Sequence, residues 1–211
     1  MNRRTLLIAA AVAVVLVAVL RPSRYGKVRN LDSRGSSIIA FGDSLTAGYG
    51  AGAGEDYPSR LAAGSGLTVI NAGVSGDTTA SALTRLQSDV LARDPRIVIV
   101  GLGGNDFLRR VPIETTEANL RAIVRRIQQS GAMVILLGFR FPSLGPSYET
   151  MYERIADEEG CLLVEDLLDG IMGDPSLKSD EIHPNARGYA MMAERVAGPL
   201  QGLVEAADDA R

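Results

Sequence analysis

Five short apolar segments alternate with segments of helical periodicity, and this alternation is the feature that most restricts the fold of the chain. The apolar segments lie at residues 36–41, 67–72, 96–102, 132–139 and 161–165. The helical segments lie at residues 57–63, 79–93, 115–130, 147–159 and from about 184. Strands that are apolar throughout and separated by helices are typical of a parallel sheet covered on both faces. The pattern therefore predicts an α/β protein, a three-layer α/β/α sandwich.

Ser44 lies just after the first predicted strand, which Gly42 ends. In a parallel sheet this position is the carboxyl edge, where open α/β folds keep their active sites. A serine hydroxyl acts as a nucleophile only where a base takes its proton and donors hold an oxyanion. The chain has one candidate base, His183, which is its only histidine. The alternative is that Ser44 caps the N-terminus of a helix.

Two further predicted strands also end in glycines and polar residues. Residues 69–78 read VINAGVSGDT and residues 98–106 read VIVGLGGND. Each is an apolar strand that runs into glycines and polar residues, including Gly76 in the first and Asn105 in the second. Because parallel strands end at one edge of the sheet, we expect these residues to lie on the same edge as Ser44.

With Ser44, Gly76, Asn105 and His183 in this order, the chain resembles the SGNH (GDSL) hydrolase family. The resemblance is closest to the bacterial thioesterase, lysophospholipase and arylesterase subgroup. It rests on the segments GDSLTAGY, SGDT, GGND and DEIHP and covers about residues 36–203. It implies a flavodoxin-like strand order for a parallel five-stranded sheet.

The expected catalytic residues are Ser44, Asp180 and His183. Asp180 lies three residues before His183, so in a loop its carboxylate can reach one imidazole nitrogen while the other nitrogen faces Ser44. Glu181 is the neighbouring alternative, but the Asp-x-x-His pattern of the family falls on Asp180. The resemblance implies a serine ester hydrolase that forms an acyl-enzyme on Ser44, with no metal and no cofactor.

We expect the oxyanion hole to contain three donors: the backbone N–H of Ser44, the backbone N–H of Gly76 and the side-chain amide of Asn105. Gly73 is the alternative glycine in the same segment. Gly76 is preferred because similar enzymes carry their glycine in the SGDT segment. The alternative for the GGND segment is a tight turn without a chemical role.

An apolar acyl groove is expected beside these residues, formed by Leu108, Phe141, Pro142 and Ile182. The alternative is that the Pro- and Gly-rich segment 140–146 only covers the core. Lysophospholipids, aryl esters and acyl thioesters are all admissible substrates. A carbohydrate O-acetylesterase on the same fold is the alternative enzyme, and a catalytically inactive, membrane-tethered binding module is the alternative outside enzymes.

The charge of the chain is unevenly distributed. The net charge is −3, yet residues 1–35 hold seven Lys and Arg residues against one Asp, which leaves the remainder strongly acidic. An acidic domain without a basic stripe argues against a nucleic-acid partner. One cysteine, Cys161, excludes an internal disulfide and is interpreted as a buried structural thiol. We expect a monomer.

The N-terminus has the character of a targeting or anchoring segment. Arg3 and Arg4 precede an uncharged, almost wholly aliphatic run at residues 5–20, which Arg21 and Pro22 close. The end of the run is a poor cleavage site, which favours an uncleaved signal anchor over a removed signal peptide. Basic residues lie on both sides of the run and compete for the cytoplasmic side. The export-type N-terminus and the periplasmic location that the family resemblance implies favour an extracytoplasmic (periplasmic), membrane-anchored domain. The alternative is secretion after cleavage. The expected organisation is an anchor at residues 1–24, a basic tether at 25–35, the hydrolase domain at 36–203 and a polar tail at 204–211.

Overall fold

A computed structural model describes residues 25–140 and 147–211. Its sheet has five parallel strands in the order β2-β1-β3-β4-β5. The strands are β1 (Ser37–Gly42), β2 (Val69–Gly73), β3 (Pro95–Gly101), β4 (Met133–Leu137) and β5 (Leu162–Val164). The predicted five-stranded parallel sheet is confirmed.

Helices cover both faces of this sheet. The α-helices of the described residues are α1 (Ser44–Ala47), α2 (Tyr57–Ser65), α3 (Thr79–Asp89), α4 (Gly104–Leu108), α5 (Ile113–Gln129), α6 (Ser147–Glu159) and α7 (Ala186–Asp209). Helix α2 packs on α7, whereas α3 packs on α5 and α5 on α6. In the central strand β3, residues 97–100 are all fully buried. Because successive side chains of a strand point to opposite faces, both faces of the sheet are covered. The predicted three-layer sandwich is therefore confirmed.

Two predicted boundaries differ from the structure by several residues. The helix expected over residues 79–93 ends at Asp89, because Val90 leaves the helical conformation with φ of −125°. A short 3₁₀ turn, Leu91–Arg93, follows and ends at Asp94, which is left-handed. The polar tail expected at residues 204–211 is wrong for most of its length, since α7 continues to Asp209. Val204 and Ala207 are buried there and extend the apolar stripe of the helix by one further turn.

Residues 25–35, expected as a tether, instead pack on the domain. Val28 is buried, and the side-chain amide of Asn30 donates to the carbonyls of Gln128 and Ala132 at 2.8 and 3.0 Å. The N–H of Arg29 donates to the carbonyl of Gly160 at 3.0 Å. These bonds make the segment part of the folded unit rather than a free linker.

The predicted anchor at residues 1–24 lies outside the described residues, and so do Phe141 and Pro142 of the predicted acyl groove. Within the part of the chain that the structure describes, no helix combines the length and the apolar character needed to cross a membrane.

Candidate active site

Ser44 is the first residue of α1, a short helix that begins directly after β1. The residue that caps this helix is Asp43, whose carboxylate accepts the N–H of Leu45 at 3.0 Å. The interpretation of Ser44 as a helix cap is therefore wrong. Gly42 is needed before it, because a Cβ at this position would lie 2.5 Å from the carbonyl oxygen of Gly101 in the neighbouring strand. Gly42 thus permits close packing of β1 and β3, and Ser44 follows β1 at the carboxyl edge of the sheet.

The Ser44 hydroxyl meets the His183 imidazole, and the imidazole meets Asp180. Ser44 Oγ lies 3.0 Å from His183 Nε2, and His183 Nδ1 lies 2.7 Å from Asp180 Oδ2. Asp180 Oδ1 also accepts the N–H groups of Ile182 and His183 at 2.9 and 2.8 Å. The neighbouring Glu181 instead contributes its backbone carbonyl to Lys178 Nζ. The structure therefore brings Asp180, and not Glu181, to the imidazole.

The carboxylate of Asp180 favours one tautomer of His183. Its hydrogen bond with the imidazole, followed by the bond from the Ile182 N–H, lowers the pKa of Asp180 to about 2. An ionised carboxylate only accepts hydrogen bonds, so Nδ1 carries the proton that is donated to Asp180. Nε2 then presents its lone pair to the Ser44 hydroxyl, which is the arrangement a general base requires.

Two tyrosines that carried no role in the sequence analysis support this arrangement. The ring of Tyr49 lies 4.4 Å from the His183 ring, centroid to centroid, at an angle of 45°. The buried hydroxyl of Tyr189 donates to the carbonyl of Tyr49 at 2.9 Å and lies 3.4 Å from that of Ser44. Helix α7, which follows His183, is thereby tied to the segment that follows Ser44. No spacing in the sequence indicates these contacts.

Two of the predicted oxyanion donors, Gly76 and Asn105, belong to segments that contact each other. Asn105 lies in α4, and its side-chain nitrogen Nδ2 donates to the carbonyl of Asp77 at 2.9 Å and lies 3.3 Å from Asp43 Oδ2. Gly76, with φ of 84°, precedes Asp77, and its carbonyl accepts Arg109 Nη2 at 2.8 Å. The positive φ explains why a glycine stands at position 76.

Gly73, the alternative oxyanion donor, makes contacts within the fold. Its N–H donates to the side-chain oxygen of Asn71 at 2.9 Å. A Cβ at Gly73 would lie 2.2 Å from the backbone nitrogen of Ala47, so the glycine permits close packing of β2 against α1. With its N–H already paired, Gly73 is a poorer donor to a substrate than Gly76.

Buried polar side chains hold the loops of the site together. Asp106 is fully buried and accepts the N–H and the hydroxyl of Thr79 at 2.8 and 2.6 Å, which joins α4 to α3. Arg85 donates to the carbonyl of Gly42 and to the carboxylate of Asp77, at 2.9 and 2.6 Å. Asp43 is 2% exposed, and burial raises the pKa of its carboxyl to about 6. Asp43, Asp106 and Arg85 thus support the segments that carry the site, and the role of Arg85 is one that sequence reasoning missed.

A cavity of about 210 Å³ opens beside Ser44 and His183. Two predicted groove residues line it, Leu108 and Ile182, whose side chains are exposed. Asn105 lies in the same cavity, together with the apolar residues Leu45, Phe139, Leu168 and Met172, which sequence reasoning missed. The described part of the groove is therefore predominantly apolar.

The described residues hold no cluster of metal-ligand side chains, and the Cys161 thiol has a raised pKa. Within residues 25–140 and 147–211, no group of three or more His, Cys, Asp and Glu side chains is arranged to hold a metal ion. Burial raises the pKa of the Cys161 thiol to about 12, so a reactive thiolate is disfavoured at neutral pH.

The sheet order, with Ser44 beside His183 at the carboxyl edge, is typical of an α/β hydrolase. Residues 40–191 match the GDSL-like lipase/acylhydrolase family, and the chain belongs to this family.

Similar proteins include several named ester hydrolases. An arylesterase of Vibrio mimicus is 33% identical over 174 residues, which cover 77% of this chain and 87% of the relative. The thioesterase 1/protease 1/lysophospholipase L1 of Escherichia coli is 32% identical over 176 residues, 80% of this chain and 85% of the relative. The crystal structure of TesA superposes with a TM-score of 0.74 and 31% identity, over 79% of this chain and 99% of that one. The chain is a carboxylic ester hydrolase of this family.

Proposed function

We propose that the protein hydrolyses acyl esters through an acyl-enzyme on Ser44, with His183 as the general base and Asp180 as its orienting partner. The observation that best supports this proposal is the chain of two hydrogen bonds, 3.0 Å from Ser44 Oγ to Nε2 and 2.7 Å from Nδ1 to Asp180 Oδ2. A serine alone is a weak nucleophile, and an adjacent oriented base activates it.

In the acylation step, Ser44 Oγ bonds to the acyl carbon while its proton passes to Nε2 of His183. The tetrahedral intermediate collapses, the bond to the leaving group breaks, and the imidazolium returns the proton to the departing oxygen or sulfur. A water molecule then attacks the acyl-enzyme with His183 again as base, which releases the carboxylic acid and restores Ser44.

The developing oxyanion needs donors in place before the reaction. We assign this role to the backbone N–H groups of Ser44 and Gly76 and to Nδ2 of Asn105. One hydrogen of the Asn105 amide is held by the Asp77 carbonyl at 2.9 Å, while the contact of 3.3 Å with Asp43 Oδ2 is weaker. The second hydrogen is therefore the one available to the oxyanion.

The apolar cavity favours substrates with an acyl chain or an aryl group: aryl esters, lysophospholipids and acyl thioesters. Leu108 and Ile182 would contact the apolar part, and Phe141 and Pro142 remain proposed contributors. A carbohydrate O-acetylesterase is the weaker candidate, because sugar hydroxyls placed against this surface would lose hydrogen bonds to water.

The catalytic proposal is tested by the steady-state hydrolysis of p-nitrophenyl octanoate by the wild type, Ser44→Ala and the control Ser88→Ala, whose serine is exposed on α3. We expect Ser44→Ala to lose most of its kcat with folding unchanged and Ser88→Ala to match the wild type. Wild-type activity in Ser44→Ala would overturn the proposal. Complete inactivity of the folded wild type would favour the binding module.

The substrate proposal is tested by comparing C8–C12 p-nitrophenyl esters and lysophosphatidylcholine with acetylated xylan. We expect hydrolysis of the acyl and aryl esters. Activity confined to the glycan would show that the protein is instead a carbohydrate O-acetylesterase.

We also propose that residues 1–24 keep the domain at an extracytoplasmic membrane surface. The basis is the apolar run at residues 5–20 and the absence of a good cleavage site after it. Recovery of a species with a new N-terminus between about residues 18 and 30 would show that the segment is a cleaved signal peptide.

A further inference from the structure

Residues 29–36 run along the amino edge of the sheet, past the starts of three strands. The Ser36 N–H donates to the carbonyl of Asp94, which directly precedes β3, and Asn30 donates to the carbonyl of Ala132, which directly precedes β4. Arg29 donates to Gly160, two residues before β5. These contacts attach residues 29–36 to the ends of the strands that lie opposite Ser44.

Helix α7 connects the two edges. Its N-cap, Asn185, lies two residues beyond His183, and its 24 residues correspond to a length of about 36 Å. At its far end, Arg211 donates to the carbonyl of Ser33 at 2.5 Å. Tyr25 lies against α7 near that end, where its hydroxyl would be 2.0 Å from a Cβ at Gly202. Tyr25 and His183 therefore lie at opposite ends of the domain.

We propose that the domain, when held by the apolar run at residues 5–20, turns its amino edge to the bilayer and its active site to the aqueous side. Its substrates are then acyl esters that are dissolved in the aqueous phase. Esters embedded in the bilayer that anchors the protein lie out of reach. This inference rests on the proposed function and on the proposed anchor.

The chain between the run and the domain is short, which keeps the amino edge of the domain near the bilayer. Residues 21–24 can span at most about 14 Å when fully extended. From Tyr25 onward the chain is bound to the domain, for example through Lys27 Nζ and Asp157 Oδ1 at 2.7 Å and through the buried Val28. Bringing Ser44 to the bilayer would require a reach on the order of 30 Å, close to the length of α7.

The test uses the full chain in phosphatidylcholine vesicles and one octanoyl aryl ester in two forms. One form is dissolved in water, and in the other the aryl group is joined to a phospholipid headgroup. The scissile bond is the same in both, so the ratio of their hydrolysis rates reports how each form reaches Ser44. A variant carries a flexible Gly/Ser linker of about 30 residues between Arg24 and Tyr25, with a root-mean-square reach of about 30 Å. The control carries the same linker after Arg211.

We expect the three proteins to hydrolyse the dissolved ester equally. The linker variant should hydrolyse the lipid-joined ester at least tenfold faster than the wild type and the control. Equal rates on the lipid-joined ester in all three proteins, or recovery of the wild type free of the vesicles, would overturn the inference. Failure of the proposed function is distinguishable, because then none of the proteins would hydrolyse the dissolved ester.

Discussion

The ring of Tyr49 lies 4.4 Å from the imidazole ring of His183, although the two residues are far apart in the chain. The Tyr49 side chain is half exposed, and its ring packs against the imidazole. Its backbone is held separately, because the Tyr189 hydroxyl donates to its carbonyl at 2.9 Å. The ring can therefore be altered without removing the contact that positions the loop.

We expect Tyr49→Ala to lower kcat about tenfold with little change in KM, and Tyr49→Phe to retain wild-type activity. An aromatic face stabilises a nearby cation by roughly 0.5–2 kcal/mol, and the imidazolium of His183 forms only as the reaction proceeds. The measurement is steady-state kinetics on p-nitrophenyl octanoate. Equal losses in the Phe and Ala variants would exclude an effect of the aromatic ring.

Asn105→Ala should lower kcat by a hundredfold or more with KM nearly unchanged, because the oxyanion exists only in the transition state. Ser88→Ala is the control, since Ser88 is exposed on α3 and does not line the cavity. Thermal unfolding verifies that both variants are folded. A rise in KM as the main effect of Asn105→Ala would remove Asn105 from the proposed oxyanion hole.

Asp43 should make the protein less stable as the pH rises. Burial raises the pKa of Asp43 from its ordinary 3.8 to about 6, so between these values the unfolded chain has released a proton that the folded protein still holds. Stability therefore falls from about pH 4 to pH 6 and changes little above that window.

Replacing Asp43 with Asn removes this contribution. Relative to the wild type, the free energy of unfolding of Asp43→Asn should increase by roughly 2–3 kcal/mol between pH 4 and pH 8. Urea unfolding at several pH values measures this difference, with Asp209→Asn, at the exposed end of α7, as the surface control. A difference between Asp43→Asn and wild type that is independent of pH would contradict the burial argument.

Arg85→Met should destabilise the protein by about 3–5 kcal/mol, because it leaves the buried Asp77 carboxylate without its cation. It also removes the donors to the carbonyls of Gly42 and Ala72. Urea unfolding is the measurement, with Arg126→Met on the exposed face of α5 as the control. The double variant Arg85→Met/Asp77→Asn should lose less than the sum of the single variants. An additive result would show that the two side chains act independently.

Much of the site could be predicted from the sequence because strand ends are local features. Ser44 and Asn105 each follow an apolar strand, and parallel strands bring such positions to one edge. The pairing of Asp180 with His183 is likewise a short-range feature, set by a separation of three residues. Tyr189 could not be found in this way, since about 140 residues of the chain separate it from the segment 44–49 that it contacts.

The segment 25–35 shows where sequence reasoning fails. Its basic and Gly/Ser-containing composition lacks any periodic apolar pattern and is typical of a linker. Its attachment depends on individual contacts, such as those of Asn30 with the carbonyls of Gln128 and Ala132, which local sequence does not encode. At the other terminus, Leu203 and Ala207 do continue the apolar stripe of α7, but the surrounding charges obscure it.

The central claim is that Ser44 carries the acyl group, and the most direct measurement is mass spectrometry of the protein after reaction with diethyl p-nitrophenyl phosphate. This reagent places a diethylphosphoryl group on a serine that an adjacent base has activated. We expect one adduct per chain, on the peptide that contains Ser44, and no adduct in Ser44→Ala or His183→Ala. An adduct on another residue, or an unmodified folded wild type, would contradict the assignment of Ser44 as the nucleophile.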